Sequence, residues 1–179
     1  MLSQKMEKAL NAQVNAELFS SYLYLSMGAG LDTRKLPGFV YWMKTQALEE
    51  LYHAVKLFDY IRAAGGRATM DAIAKPETEW ASPLAVAEGI LEHEKKVTGL
   101  IKGLVKVAQE EKDAATEQYL AWYIKEQVEE EESAEEVLKK VKAAGGDPQA
   151  MAEVDAELGS RTFKIPRDIE IKFRNVTFK

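Results

Sequence analysis

Six side chains able to bind a metal ion interrupt stripes that are otherwise apolar. They are Glu17, then Glu50 with His53, then Glu94, then Gln127 with Glu130. A spacing of three puts Glu50 and His53 on adjacent turns of one helix face, and Gln127 and Glu130 likewise. A lone carboxylate in a core is costly to ionise. Several together repel and raise one another's pKa values. A pair of divalent cations removes that conflict. Hard oxygen ligands with an imidazole suit iron, manganese or a similar ion. Tyr24 shares the stripe of Glu17 and is a candidate electron donor, although aromatic residues at helical spacing commonly serve as core packing. Trp122 is a weaker candidate. His93 adjoins Glu94 but sits about 100° around the helix, which reads as structural or solvated.

Composition narrows the chemistry further. The 179 residues contain no cysteine and only two histidines. Disulfides, thiolate metal sites, iron–sulfur clusters, cysteine nucleophiles and His-rich zinc sites are excluded. The net charge of −5 does not favour nucleic-acid binding. The longest apolar run, residues 119–124, is far short of a membrane span. The N-terminus lacks the apolar region of a signal peptide, so the expected location is the cytoplasm.

Four long segments rich in Ala, Leu, Glu and Lys position these residues. The first helix is expected from Ser3 to Gly30, and the second from Pro37 to the Gly65-Gly66 pair. The third starts with Ser82 as N-cap and Pro83 at the first position, and ends near Lys112. The fourth runs from Asp113 to Gly145-Gly146. Asp147-Pro148 opens a short fifth helix to about Leu158. The expected stripes are Leu10, Val14, Glu17, Ser21, Tyr24 and Gly28; then Phe39, Met43, Gln46, Glu50, His53, Leu57 and Ile61. On the third helix they are Leu84, Ala87, Leu91, Glu94, Val97, Ile101 and Leu104. On the fourth they are Leu120, Tyr123, Gln127, Glu130, Ala134, Val137 and Val141. Short links make helices one and two, and three and four, antiparallel neighbours. The link from Gly65 to Ser82 is long enough, at roughly 56 Å extended, to run back along the bundle. The expected fold is an all-α four-helix bundle with one long crossover. In it the middles of the stripes lie at similar heights and the six groups converge.

Across residues 1–162 the chain resembles a non-haem prokaryotic ferritin. The resemblance rests on Glu17 in NAELFSSYLYLSM, Glu49, Glu50 and His53 in LEELYH, Glu94 in EHE, and Gln127 with Glu129 and Glu130 in WYIKEQVEEEE. The di-iron arrangement of ferritin-like bundles is already well known. The fourth helix carries Gln127-x-x-Glu130 where bacterioferritin-like and rubrerythrin-like proteins have a second Glu-x-x-His. Tyr52 stands where bacterioferritin has its haem methionine, so no haem is expected. The rubrerythrin iron domain needs cysteines. DNA-protecting mini-ferritins place their iron between subunits.

The resemblance implies an iron store with ferroxidase activity, built as a hollow homo-oligomer of 24 subunits. It implies Glu17, Glu50 and His53 around a first iron, with Glu50 bridging. Glu94 with Gln127 or Glu130 would hold the second. Glu49, Glu126, Glu129 and Glu130 resemble a third iron site, although a run of glutamates is commonly a solvated face. Fe(II) and dioxygen or hydrogen peroxide are the implied reactants, and the fifth helix would line four-fold channels. Two rival readings are a non-storing di-metal oxidase or peroxidase of the same fold and a metal-free helical interaction protein.

Residues 163–179 form a separate basic extension. From Lys164 onward it carries a charge of +3, leaving −8 for the remainder. Ile169, Ile171 and Phe173 alternate with charged residues at a strand period. A disordered extension, docking on a neighbouring subunit, and contact with an acidic partner or the shell interior are the readings for it. Gly89, Gly99 and Gly103 are unusual in the third helix, where each costs up to about 1 kcal/mol. Close helix approach and a subunit interface are alternative reasons for them.

Overall fold

A computed structural model describes residues 1–162. The strand-like alternation expected beyond Lys164 lies outside the described residues. Five helices follow in order: α1 Gln4–Asp32, α2 Pro37–Ala63, α3 Pro83–Glu110, α4 Ala114–Ala144 and α5 Pro148–Leu158. There is no strand among the described residues.

Local chemistry explains the boundaries. The Ser3 hydroxyl accepts from Met6 N, Ser82 from Ala85 N, and the Asp113 carboxylate from Thr116 N. Asp147 accepts from both Gln149 N and Ala150 N. Each satisfies amide groups that the first turn leaves unpaired. Helix α4 stops at Gly145 in the left-handed region, the usual C-terminal brake. Helix α2 has no side-chain cap of its own. Asp155, on α5, supplies one: its Oδ1 accepts from Phe39 N at 2.8 Å. Gly38 makes this approach feasible, because a Cβ there would lie 1.8 Å from the Asp155 carbonyl oxygen. The fifth helix is therefore tied to the start of the second by a buried tertiary cap.

The long link behaves as its length predicts. Asn11 donates to Arg67 O, Asn15 to Asp71 O, Ser26 to Glu77 O and Arg34 to Trp80 O. The link thus ascends alongside α1 in register with it, and α3 begins at the end where α2 began. Helices α2 and α3 are parallel, as a single long crossover requires. Trp80 ends the link by packing on Gly30 and Gly89; a Cβ at either would lie 2.9 Å from its ring. Gly89 is thus explained by Trp80. Gly99 and Gly103 face open space.

The apolar core is split in two. One cluster is built from residues such as Met27, Leu31, Phe39, Met43, Ile90 and Val137. The other contains Met6, Leu10, Leu57, Ile61, Ile101 and Leu120. A polar layer separates them. The stripes were expected largely as observed, with three differences. Leu84 is exposed, Leu91 and Ser21 are half-buried, and Val86 and Ile90 take the inward positions on α3.

Candidate metal centre

Four helices deliver one layer of ionisable groups to the bundle middle. Glu17, Glu50, His53, Glu94 and Glu130 are buried, as is Gln127. The six residues selected by stripe position therefore all point inward.

Glu17, Glu50 and His53 offer ligand atoms that lie within 4.8 Å of one another. His53 Nδ1 is 3.6 Å from Glu50 Oε2. Gln13, one turn before Glu17, donates to Glu17 Oε1 at 2.9 Å. Glu17 Oε2 and Glu50 Oε2 are buried and have no donor among their neighbours, and the two carboxyls are close enough to share a proton. Buried carboxylate oxygens are normally paired, so two adjacent orphans make a receptor for a cation. The donor set of carboxylates and one imidazole fits iron.

Glu94 completes the layer from α3. Its Oε1 accepts the Tyr24 hydroxyl, and its Oε2 accepts Gln127 Nε2 at 3.3 Å. The same Gln127 nitrogen lies 3.3 Å from Glu94 O and from Thr98 Oγ1. Gln127 thus turns its amide nitrogen toward Glu94. Tyr123, from the next turn of α4, donates to His53 O at 2.9 Å and packs edge-on to the imidazole.

A second group of ligand atoms, also within 4.8 Å, comes from His53, Glu126 and Glu130. It lies toward the solvent side, since Glu126 is half-buried. Glu49 stands beside it and is held by Arg161 at 2.6 Å. Gln46 donates to Glu130 Oε2 at 2.8 Å. Glu129 is exposed and pairs with Lys125 at 3.5 Å, although its charge still acts on Glu126. Of the four residues assigned to a third site by resemblance, the described contacts thus join Glu126 and Glu130 most directly.

Electrostatics follow burial. Burial and the charges of Glu94, Glu17 and Glu130 push the Glu50 carboxyl well above its ordinary range. Burial likewise raises Glu17. Burial and Glu130 push Glu94 up to about 8. Burial takes Glu49 to about 7 despite Arg161. Burial lowers His53 to about 4, so its imidazole is neutral and able to ligate at neutral pH. Burial and the carboxylates around it raise Tyr24 well above 10. Each shift disfavours charge in the metal-free layer; a cation would relieve the raised carboxyls and keep the imidazole neutral.

His93 is structural, one of its two expected roles. It is buried, and its Nε2 shares a 2.8 Å hydrogen bond with Ser20 Oγ. Gln13 and Arg161 escaped the stripe reasoning. Gln13 could have been found from its i, i+4 spacing to Glu17. Arg161 lies beyond the last periodic segment and carried no signal.

Comparisons with known proteins give the family. Residues 7–144 match the ferritin family model, a ferritin-like domain. A bacterial non-heme ferritin of Bacteroides fragilis is 42% identical over 161 residues, covering 90% of this chain and all of that one. A bacterial non-heme ferritin of Staphylococcus aureus is 36% identical over 163 residues, covering 91% of this chain and 98% of that one. The crystal structure of an open-pore ferritin from the archaeon Archaeoglobus fulgidus superposes with a TM-score of 0.89 at 48% identity, covering 90% of this chain and all of that one. A family model spanning most of the helical bundle, and relatives matched along nearly their whole length, establish that the chain belongs to the ferritin family as a non-haem ferritin.

Proposed function

We infer that this chain oxidises Fe(II) at the polar layer and stores the ferric product inside a shell of its own copies. The observation that carries the reading is the pair of orphaned oxygens, Glu17 Oε2 and Glu50 Oε2, beside a neutral His53. Fe(II) is the substrate of this site. Glu17, Glu50 and His53 would hold one ion, with Glu50 reaching toward the second. Glu94 and Glu130 would hold the second ion. Gln127 serves Glu94 as a hydrogen-bond donor, which favours Glu130 over Gln127 as the ligand from α4.

Ligand carboxyls that are protonated before loading release their protons when a cation binds. Two Fe(II) ions give up one electron each. Two electrons and two protons convert dioxygen to hydrogen peroxide, or hydrogen peroxide to two waters. Anionic oxygen ligands stabilise the harder Fe(III) and so favour the forward direction. Tyr24 is poised to give a further electron, because its phenolic proton already points at Glu94 Oε1. The outer group of His53, Glu126 and Glu130, with Glu49 beside it, would take a third ion on its way from the inner site. Assembly into a homo-oligomer, with 24 copies as the family expectation, would enclose the mineral.

The test is the initial rate of Fe(II) oxidation under air by the purified protein. Oxidation that is lost in Glu50→Ala and in His53→Ala supports the reading; no oxidation by the unmodified protein overturns it. Light scattering separates storage from a non-storing oxidase, since a monomer or dimer at every salt concentration would leave oxidation without a shell.

A further inference from the structure

Arg161 follows the last helix, yet its guanidinium reaches into the bundle. Nη2 donates to Glu49 Oε2 at 2.6 Å, and Nη1 donates to Gln46 Oε1. The group also lies over the Trp42 ring, 5.0 Å from its centroid. Gln46 is fully buried, and its Nε2 donates to Glu130 Oε2. An amide has an acceptor end and a donor end. By taking the oxygen, Arg161 fixes the nitrogen toward Glu130. One side chain therefore holds Glu49 directly and Glu130 through Gln46. A planar fork presents two donors in fixed geometry and so suits both partners at once; an ammonium on a flexible stem holds neither orientation as firmly.

We propose that Arg161 is a built-in counter-cation of Glu49 at the edge of the outer carboxylate group, a positioning residue that competes with a metal ion for Glu49 Oε2. The inference rests on the outer-site reading above. Glu49 cannot offer the oxygen bound by the guanidinium to a metal without breaking that bond. A metal that takes Glu49 Oε2 therefore breaks the Arg161–Glu49 bond and leaves Nη1 alone holding Gln46 Oε1. Metal at the outer group competes with a cation tethered to the same chain, which makes its occupancy transient. The inner group has no such competitor: two of its carboxylate oxygens are unpartnered.

The test is anaerobic Fe(II) titration by calorimetry on the full-length, assembled protein, with Arg161→Gln, Arg161→Lys and Glu49→Gln variants. The binding event that depends on Glu17 and Glu50 should persist in all three. The binding event that Glu49→Gln removes should tighten by about tenfold in Arg161→Gln, a shift of ordinary size for a lost charge competitor. Arg161→Lys keeps the charge without the fork and should fall between. A Glu49-dependent event that is unchanged or weaker in Arg161→Gln overturns the proposal. Outer binding seen in Arg161→Gln but not in the unmodified protein supports it strongly. If neither protein shows a Glu49-dependent event while the event that depends on Glu17 and Glu50 persists, the outer-site reading fails and the role of Arg161 falls with it. Helix α5 keeps its own anchor in the Asp155 cap on α2. Should Arg161→Gln fail to assemble, Arg161→Lys carries the same test, and an unchanged affinity there overturns the proposal.

Discussion

Glu49 and Glu50 are chain neighbours that live under opposite rules. Glu50 faces the bundle axis, is 1% exposed, and has one oxygen with no hydrogen-bond partner. Glu49 is turned about 100° around the same helix and meets a guanidinium at 2.6 Å. Both carboxyls are raised by burial, but Glu49 has a cation provided by the chain. Glu50 has only a neutral imidazole and other carboxylates around it. The contrast teaches that residue type and spacing do not set the role. A carboxylate left without a cation is built to receive one from outside. A carboxylate already given one is neutralised within the chain.

The largest effect should come from breaking the inner member alone. Glu50→Ala should lower the initial Fe(II) oxidation rate by at least about 100-fold, since even outer partners of metal ligands are worth about 10–100-fold. Glu49→Gln should cost less than about tenfold in the same stopped-flow measurement. Equal losses in the two variants would erase the distinction between the groups.

Stability should move the other way. In the metal-free protein Glu50→Gln replaces a buried carboxyl, whose charged form lacks a counter-ion, with a neutral amide, and should stabilise the fold by about 1–2 kcal/mol at pH 8 in denaturant unfolding. The same variant should lose most of the stabilisation that added divalent metal confers. A metal-free interaction protein would share the first result but show no metal stabilisation in any form.

The pH dependence sharpens the same point. Glu94 at about 8 and Glu49 at about 7 hold protons in the folded chain that the unfolded chain has lost above about 4.5. The folded state then binds more protons, so stability falls as pH rises through those values. His53, lowered to about 4, has the opposite slope, losing stability as pH falls from 6.5 through 4. Between pH 6.5 and 8 only the carboxyl slope remains. Metal-free protein should therefore weaken across that window, whereas metal-loaded protein should not. A flat metal-free profile would show that the layer carries no suppressed charge.

Tyr24→Phe should have the smallest effect. It removes one hydrogen bond to Glu94, worth about 1 kcal/mol, so oxidation should slow by no more than about tenfold. Its specific signature is the loss of any tyrosyl radical signal by electron paramagnetic resonance during turnover. A radical of undiminished intensity in the variant would assign the extra electron to another residue.

Much of this was legible from spacing. Glu17, Glu50, His53, Glu94 and Glu130 were readable because a polar residue at a core position of a helix breaks a strong pattern. The crossover was readable because 17 residues can span a bundle and helix ends were marked by Ser82, Pro83 and the Gly65-Gly66 pair. Gln13 and Gln127 were harder, since an amide's two ends look alike until the partner is seen. The Asp155 cap on α2 and the Arg161 grip on Glu49 had no periodic signal at all. Both join positions more than 100 residues apart, and tertiary docking of α5 created them.

Crystals of the assembled protein soaked anaerobically with Fe(II), with anomalous diffraction collected at the iron edge, test the central claim most directly. Two peaks in the polar layer are predicted, one among Glu17, Glu50 and His53 and one between Glu94 and Glu130, with any outer peak at lower occupancy. Iron confined to the outer glutamates, with the inner layer empty, would contradict the account.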